Sequence, residues 1–64
     1  MAKYNIDVQL TGQDSNAFSL VSIVRRKLER SGVSREECKA FFDEALSGDY
    51  SHVLATCGKW VNVS

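Results

Sequence analysis

The sequence predicts a small α+β domain of order β-α-α-α-β, with two short terminal strands covered by three helices. Three observations lead there. Residues 3–11 alternate polar and apolar side chains. Three later segments repeat their apolar residues at helical spacing between capping residues, and the chain closes on an aromatic and β-branched run. At 64 residues the chain has room for one domain, 1–64, compact from residue 3 to residue 63.

Each element can be justified in turn. From Lys3 to Thr11, Tyr4, Ile6, Val8 and Leu10 point one way and Lys3, Asn5, Asp7 and Gln9 the other. That is a strand with one buried and one wet face. In the stretch GQDSNAF (12–18), Gly12 turns the chain and Asp14 or Ser15 caps a helix spanning 15–31. Ala17, Leu20, Val21, Val24 and Leu28 form its apolar stripe, opposite Ser19, Arg26 and Arg30. Ser31-Gly32 ends it, with Gly32 free to take a left-handed conformation.

Ser34 and Glu37 then have the spacing of a reciprocal capping box, with Val33 and Cys38 as its hydrophobic staple. This second helix buries Cys38, Phe41, Phe42, Ala45 and Leu46, and closes at Gly48. Asp49 caps a third, shorter helix whose apolar side is Val53, Leu54 and Cys57 and whose end is Gly58. Residues 59–63, KWVNV, read as the second strand. A ribbon of two strands is marginal alone in water, so the helices must cover its apolar face. A competing arrangement extends the third helix through Trp60 and leaves one strand.

Composition narrows the function. An apolar share of 44% and a charged share of 25% are those of a folded globular chain. Eight basic and eight acidic side chains cancel, which argues against generic binding to nucleic acid or an anionic membrane. Residues 25–39 nevertheless hold six of the eight basic groups and only three acids. No apolar run approaches a membrane span, and MAKYNIDVQL lacks a signal-peptide core. The expectation is a soluble cytoplasmic protein, with Cys38 and Cys57 as reduced thiols.

Four groups of residues invite chemistry. Gly12, Ser15 and Asn16 could form an anion site on the exposed amides of a helix start. No lysine or arginine lies in that loop, Asp14 opposes an anion, and the glycines of a phosphate loop are missing, so an ordinary helix start is favoured. Cys38, His52 and Cys57 are spaced by fourteen and five residues, without the close ligand pairs or fourth ligand of a zinc site. Asp49, Ser51 and His52 are the residue types of a hydrolytic triad, but neighbours on a helix do not face one another. Cys57 and His52 would lie about 140° apart around a helix axis. No enzyme, metal or cofactor is expected.

The fourth group is Arg25-Arg26-Lys27 with Arg30, a basic cluster that Glu29 partly offsets. Ile23 stands about 120° from the centre of its helix's apolar stripe at 100° per residue. Either it wraps the edge of the core against a neighbouring helix or, framed by Ser19, Arg26, Lys27 and Arg30, it is the apolar centre of a basic-rimmed patch, the candidate partner-binding surface. The leading expectation is a non-enzymatic protein–protein interaction module. The alternative is a nucleic-acid binder using the same cluster, and a homo-oligomer is compatible with a chain this small.

GQDSNAF (12–18), VRRKLERSGV (24–33), SGDYSHVLATC (47–57) and Trp60-Val61 together resemble a group of very short bacterial and bacteriophage proteins with no assigned activity. The resemblance implies a stand-alone small protein encoded by a phage or another mobile element. It implies no active site and no cofactor.

Overall fold

The two ends of the chain meet side by side. The computed structural model describes residues 2–12 and 16–64. In it β1 (Asp7–Val8) and β2 (Asn62–Val63) pair in parallel, Asp7 opposite Asn62 and Val8 opposite Val63. Parallel strands need a long crossover. It consists of α1 (Ala17–Arg30), α2 (Arg35–Ala45) and α3 (Tyr50–Trp60).

The ladder is shorter than the alternation of residues 3–11 suggests, because its first partners are helical. Lys3 and Tyr4 donate their amides to the carbonyls of Lys59 and Trp60, each at 2.9 Å, in the last turn of α3. Those carbonyls have no partner within their own helix, so the N-terminal segment caps α3 before it becomes a strand. Further on, Asn62 donates to Ile6 (2.9 Å), Ser64 to Val8 (3.0 Å) and Leu10 to Ser64 (2.7 Å).

Side chains from four elements, with Val61 between α3 and β2, fill one core. Val8 from β1, Val21, Val24 and Leu28 from α1, Cys38 and Phe41 from α2, Val53, Cys57 and Trp60 from α3, and Val61 are buried together. Trp60 stacks on Tyr4 at 6.0 Å between ring centroids and meets Phe41 edge-on at 5.6 Å.

That aromatic group corrects the expected end of the third helix. Gly58 lies inside α3, which continues to Trp60. Glycine in a helix costs about 1 kcal/mol relative to alanine, less than a buried tryptophan contributes. The second strand survives nonetheless at Asn62–Val63. Leu54, expected on the apolar side of this helix, is exposed, and Thr56 occupies a buried position beside Cys57.

Two caps also differ from expectation. Asn16 is the N-cap of α1, its Oδ1 accepting from the amide of Phe18 at 2.9 Å; Asp14 and Ser15 lie outside the described residues. At α2, Ser34 Oγ accepts from the Glu37 amide at 3.2 Å, as a capping box requires. The Glu37 carboxylate does not complete the box; it accepts from Tyr4 Oη at 2.9 Å and pairs with Lys3 Nζ at 2.5 Å. The α1 terminus matches its sequence reading. Gly32 has φ +88°, Val33 donates to Leu28, and Gly32 donates to Glu29, a complete Schellman motif.

Candidate functional site

Helix α1 buries Leu20, Val21, Val24 and Leu28 and leaves Arg26, Lys27 and Arg30 exposed. Ile23 lies between these faces. It is half-buried, with part of its side chain packed against the core. Ser19, one turn earlier, is half-buried too.

The structure brings four of the five partner-surface residues into one groove of about 280 Å³. Ile23, Arg26, Lys27 and Arg30 form one wall, and Asp7 and Val8 of β1 with the following Gln9 the other. A second hollow, lined by Phe18, Ser19, Ser22, Ile23 and Arg26, shares Ile23 and Arg26 with the first and includes the fifth residue, Ser19. Phe18 there is 63% exposed.

The groove is electropositive. Arg26, Lys27 and Arg30 face a single carboxylate, Asp7, which accepts from Asn62 Nδ2 at 3.2 Å. Among the described residues the salt bridges join Lys3 to Glu37, Lys39 to Asp43 and Lys59 to Glu44, and none involves the groove's cations. Arg25 stands apart from this set. Its guanidinium lies over the Phe42 ring at 5.2 Å, a cation–π contact with α2.

The strand wall is an open sheet edge. Among the described residues the sheet has two strands, and β1 has a neighbour on the β2 side alone. Ile6 accepts from Asn62 of β2, and Val8 from Ser64 just beyond it. Backbone direction alternates along a strand, so the N–H and C=O of Asp7 and Gln9 point the other way, toward the groove.

The sequence marks the helix wall of this site but not the strand wall. Alternation alone sets Asp7 and Gln9 off the core face. That they stand beside Ile23 and the basic cluster follows from which edge of β1 pairs with β2. Phe18 is missed because a lone aromatic flanking an apolar stripe looks like core.

The other sequence candidates have structural employment. At the GQDSNAF turn, Gly12 takes φ +85° and Asn16 Oδ1 is committed to the Phe18 amide, while Ser15 lies outside the described residues. His52 Nε2 lies 2.7 Å from the Glu44 carbonyl, 3.2 Å from Ser47 Oγ and 3.4 Å from Thr56 Oγ1. A carbonyl only accepts, so Nε2 carries the proton, and His52 ties α3 to the end of α2. Cys38 and Cys57 are buried free thiols, and burial pushes both up in pKa, away from reactive thiolate. Among the described residues no group of three or more His, Cys, Asp or Glu is placed to hold a metal ion. No helix among them is long and apolar enough to cross a membrane.

A separate apolar hollow is lined by Leu10, Leu20, Tyr50, Leu54 and Val63 among others; Tyr50 and Leu54 are each 44% exposed. No family model, curated protein or solved structure matches this chain.

Proposed function

We propose that this chain is a small non-enzymatic interaction module that docks a protein partner along the outer side of α1. It would act in the cytoplasm as an inhibitor or adaptor, an accessory protein of a phage or another mobile element. The observation that supports this most is the groove itself. Ile23 supplies an apolar centre, and Arg26, Lys27 and Arg30 rim it without an ion pair among the described residues. An apolar centre within a polar rim is the common anatomy of an interface.

The test is capture of partners by the tagged chain from a lysate of its source cells, with and without nuclease. A discrete protein retained after nuclease, and lost with the folded double variant Arg26→Glu/Arg30→Glu, is the expected result. Reversing two rim charges replaces attraction with repulsion, so binding should fall about a hundredfold. Equal capture by the folded variant overturns the proposal.

Nucleic acid is the second reading, favoured by the same exposed cations. The Asp7 carboxylate beside them and the net charge of zero weigh against it. Phosphate contacts release counterions, so affinity would fall steeply with salt. Recovery abolished by nuclease would select this reading.

A further inference from the structure

Resting on the docking reading, we propose that the groove receives an extended, acidic segment of the protein partner as a third strand on the outer edge of β1. In that segment an apolar side chain and carboxylates share one face, at alternate positions.

The backbone supplies the first reason. Asp7 and Gln9 direct their N–H and C=O toward the groove, away from β2, and no second strand covers that edge among the described residues. Exposed edges are ordinarily blunted by charged side chains, lysine above all, by proline, by a covering element or by being very short; this edge is short and carries Asp7, but it has no lysine or proline. Here the outward positions are Asn5, Asp7 and Gln9. The nearest lysine, Lys3, is held by Glu37 and lies 4.4 Å over the Trp60 ring. An unpaired edge with a helix alongside is a known geometry for strand addition, in which main-chain bonds give affinity and alternate side chains give specificity.

Spacing supplies the second. Ile23 and Lys27 are one helical turn apart, about 6 Å along the axis at 1.5 Å per residue. Same-face residues of a strand are about 6.6 Å apart. A segment running along α1 with an apolar side chain on Ile23 would bring its same-face neighbour level with Arg26 and Lys27, and the next one toward Arg30.

Charge supplies the third and chooses the occupant. Three cations against one carboxylate favour acidic side chains at those positions. A second copy of this chain would bring three more cations to the same groove, which disfavours self-pairing at this edge. The regular part of β1 is only two residues long, so the main chain contributes few bonds and the side-chain pattern must select the partner.

The test uses the full chain, immobilised, to select binders from a displayed library of random octapeptides. The expected consensus is apolar-x-acidic-x-acidic, with the selected residues at every second position. The selected peptide, resynthesised with blocked ends, should protect the Asp7 and Gln9 amides from hydrogen exchange. Its affinity should drop about tenfold or more with Arg26→Glu/Arg30→Glu. A second variant, Gln9→Pro, removes an edge donor without touching the β1–β2 ladder, and should abolish binding if it folds. Strand addition is overturned by failure to select any peptide, by a helical-period consensus, or by a bound peptide that leaves both amides exchanging as in the free chain. Protection of the same amides at high protein concentration without peptide, accompanied by dimer mass, also overturns it in favour of self-pairing. None of these outcomes touches partner capture. Loss of capture with Arg26→Glu/Arg30→Glu alongside unprotected amides would retain the docking reading and remove strand addition alone.

Discussion

A methyl group at position 48 would lie 2.7 Å from Cγ and 2.8 Å from Cβ of His52, the inner atoms of a side chain that cannot swing away alone. His52 is fixed on its other side by the Glu44 carbonyl, and Ser47 Oγ donates to that same carbonyl at 2.7 Å. Glycine is therefore required at this turn for close approach. Gly48→Ala should move the ring off Glu44 and cost about 1–2 kcal/mol, the usual range for a disrupted half-buried hydrogen bond. In a domain of this size that lowers the melting temperature by roughly 4–8 °C per kcal/mol, readable by circular dichroism. A melting temperature equal to that of the parent chain would show that the turn accommodates the methyl. The sequence marks Gly48 as a helix terminator. The ring beside it is not legible there, because the ring is turned toward the end of α2 by the Glu44 carbonyl, a contact that forms only when α2 and α3 fold back on each other.

Helix ends show how local patterns lead to an element and where they stop. Asn16 holds the first turn of α1 through the Phe18 amide, and that helix forms one wall of the groove. Asn16→Ala should destabilise the fold by about 1 kcal/mol, while Asn16→Asp should restore most of it, since aspartate caps as well as asparagine. Urea unfolding of the two variants checks this; equal midpoints would show that another group starts the helix. The Schellman end of α1 and the Ser34 cap of α2 were legible because they depend on residues within a few positions of one another. The placement of the α1 cap at Asn16 was not, since Asp14, Ser15 and Asn16 are all good caps and spacing does not rank them. The end of α3 was not legible either. Gly58 signals a stop, but stacking of Trp60 on Tyr4 and its edge contact with Phe41 carry the helix past it.

At the scale of the whole molecule, the N-terminal segment is fastened across α2 and α3 by one polar cluster. Glu37 accepts from Tyr4 Oη and pairs with Lys3, whose ammonium also lies over the Trp60 ring. The hydrogen bonds from Lys3 and Tyr4 hold the Glu37 carboxyl below the usual glutamate range. A carboxylate with a lowered pKa adds stability that is fully present above its unfolded value, about 4.3, and is lost as pH falls through its folded value. Lys3 and Tyr4 are both raised, chiefly by their hydrogen bonds to Glu37, so their contributions are lost as pH rises through their folded values in the alkaline range. The parent chain should therefore lose melting temperature between pH 5 and pH 3 more steeply than Glu37→Gln. Parallel melting curves in that window would remove the cluster from the account of acid stability. The groups are solvent-exposed, so the effect should be modest and should shrink with added salt.

What the sequence determined by itself is local: the two-residue alternation of the first strand, the helical stripes of α1 and α2, the Schellman end of α1, the Ser34 and Asp49 caps, the order β-α-α-α-β, and the basic side of α1 beside Ile23. Each rests on residues within about one or two turns of each other, where spacing fixes geometry. Tertiary structure decided the parallel register, the shortening of β1 to Asp7–Val8, the passage of α3 through Gly58, the exposure of Leu54, and the strand wall of the groove. Those depend on contacts between distant parts of the chain, such as Asp7 with Asn62 across 55 positions. No periodic pattern encodes a pairing at that separation. It is selected when the burial of Val8, Trp60 and Val61 in one core outweighs the entropy of closing the long loop between the strands.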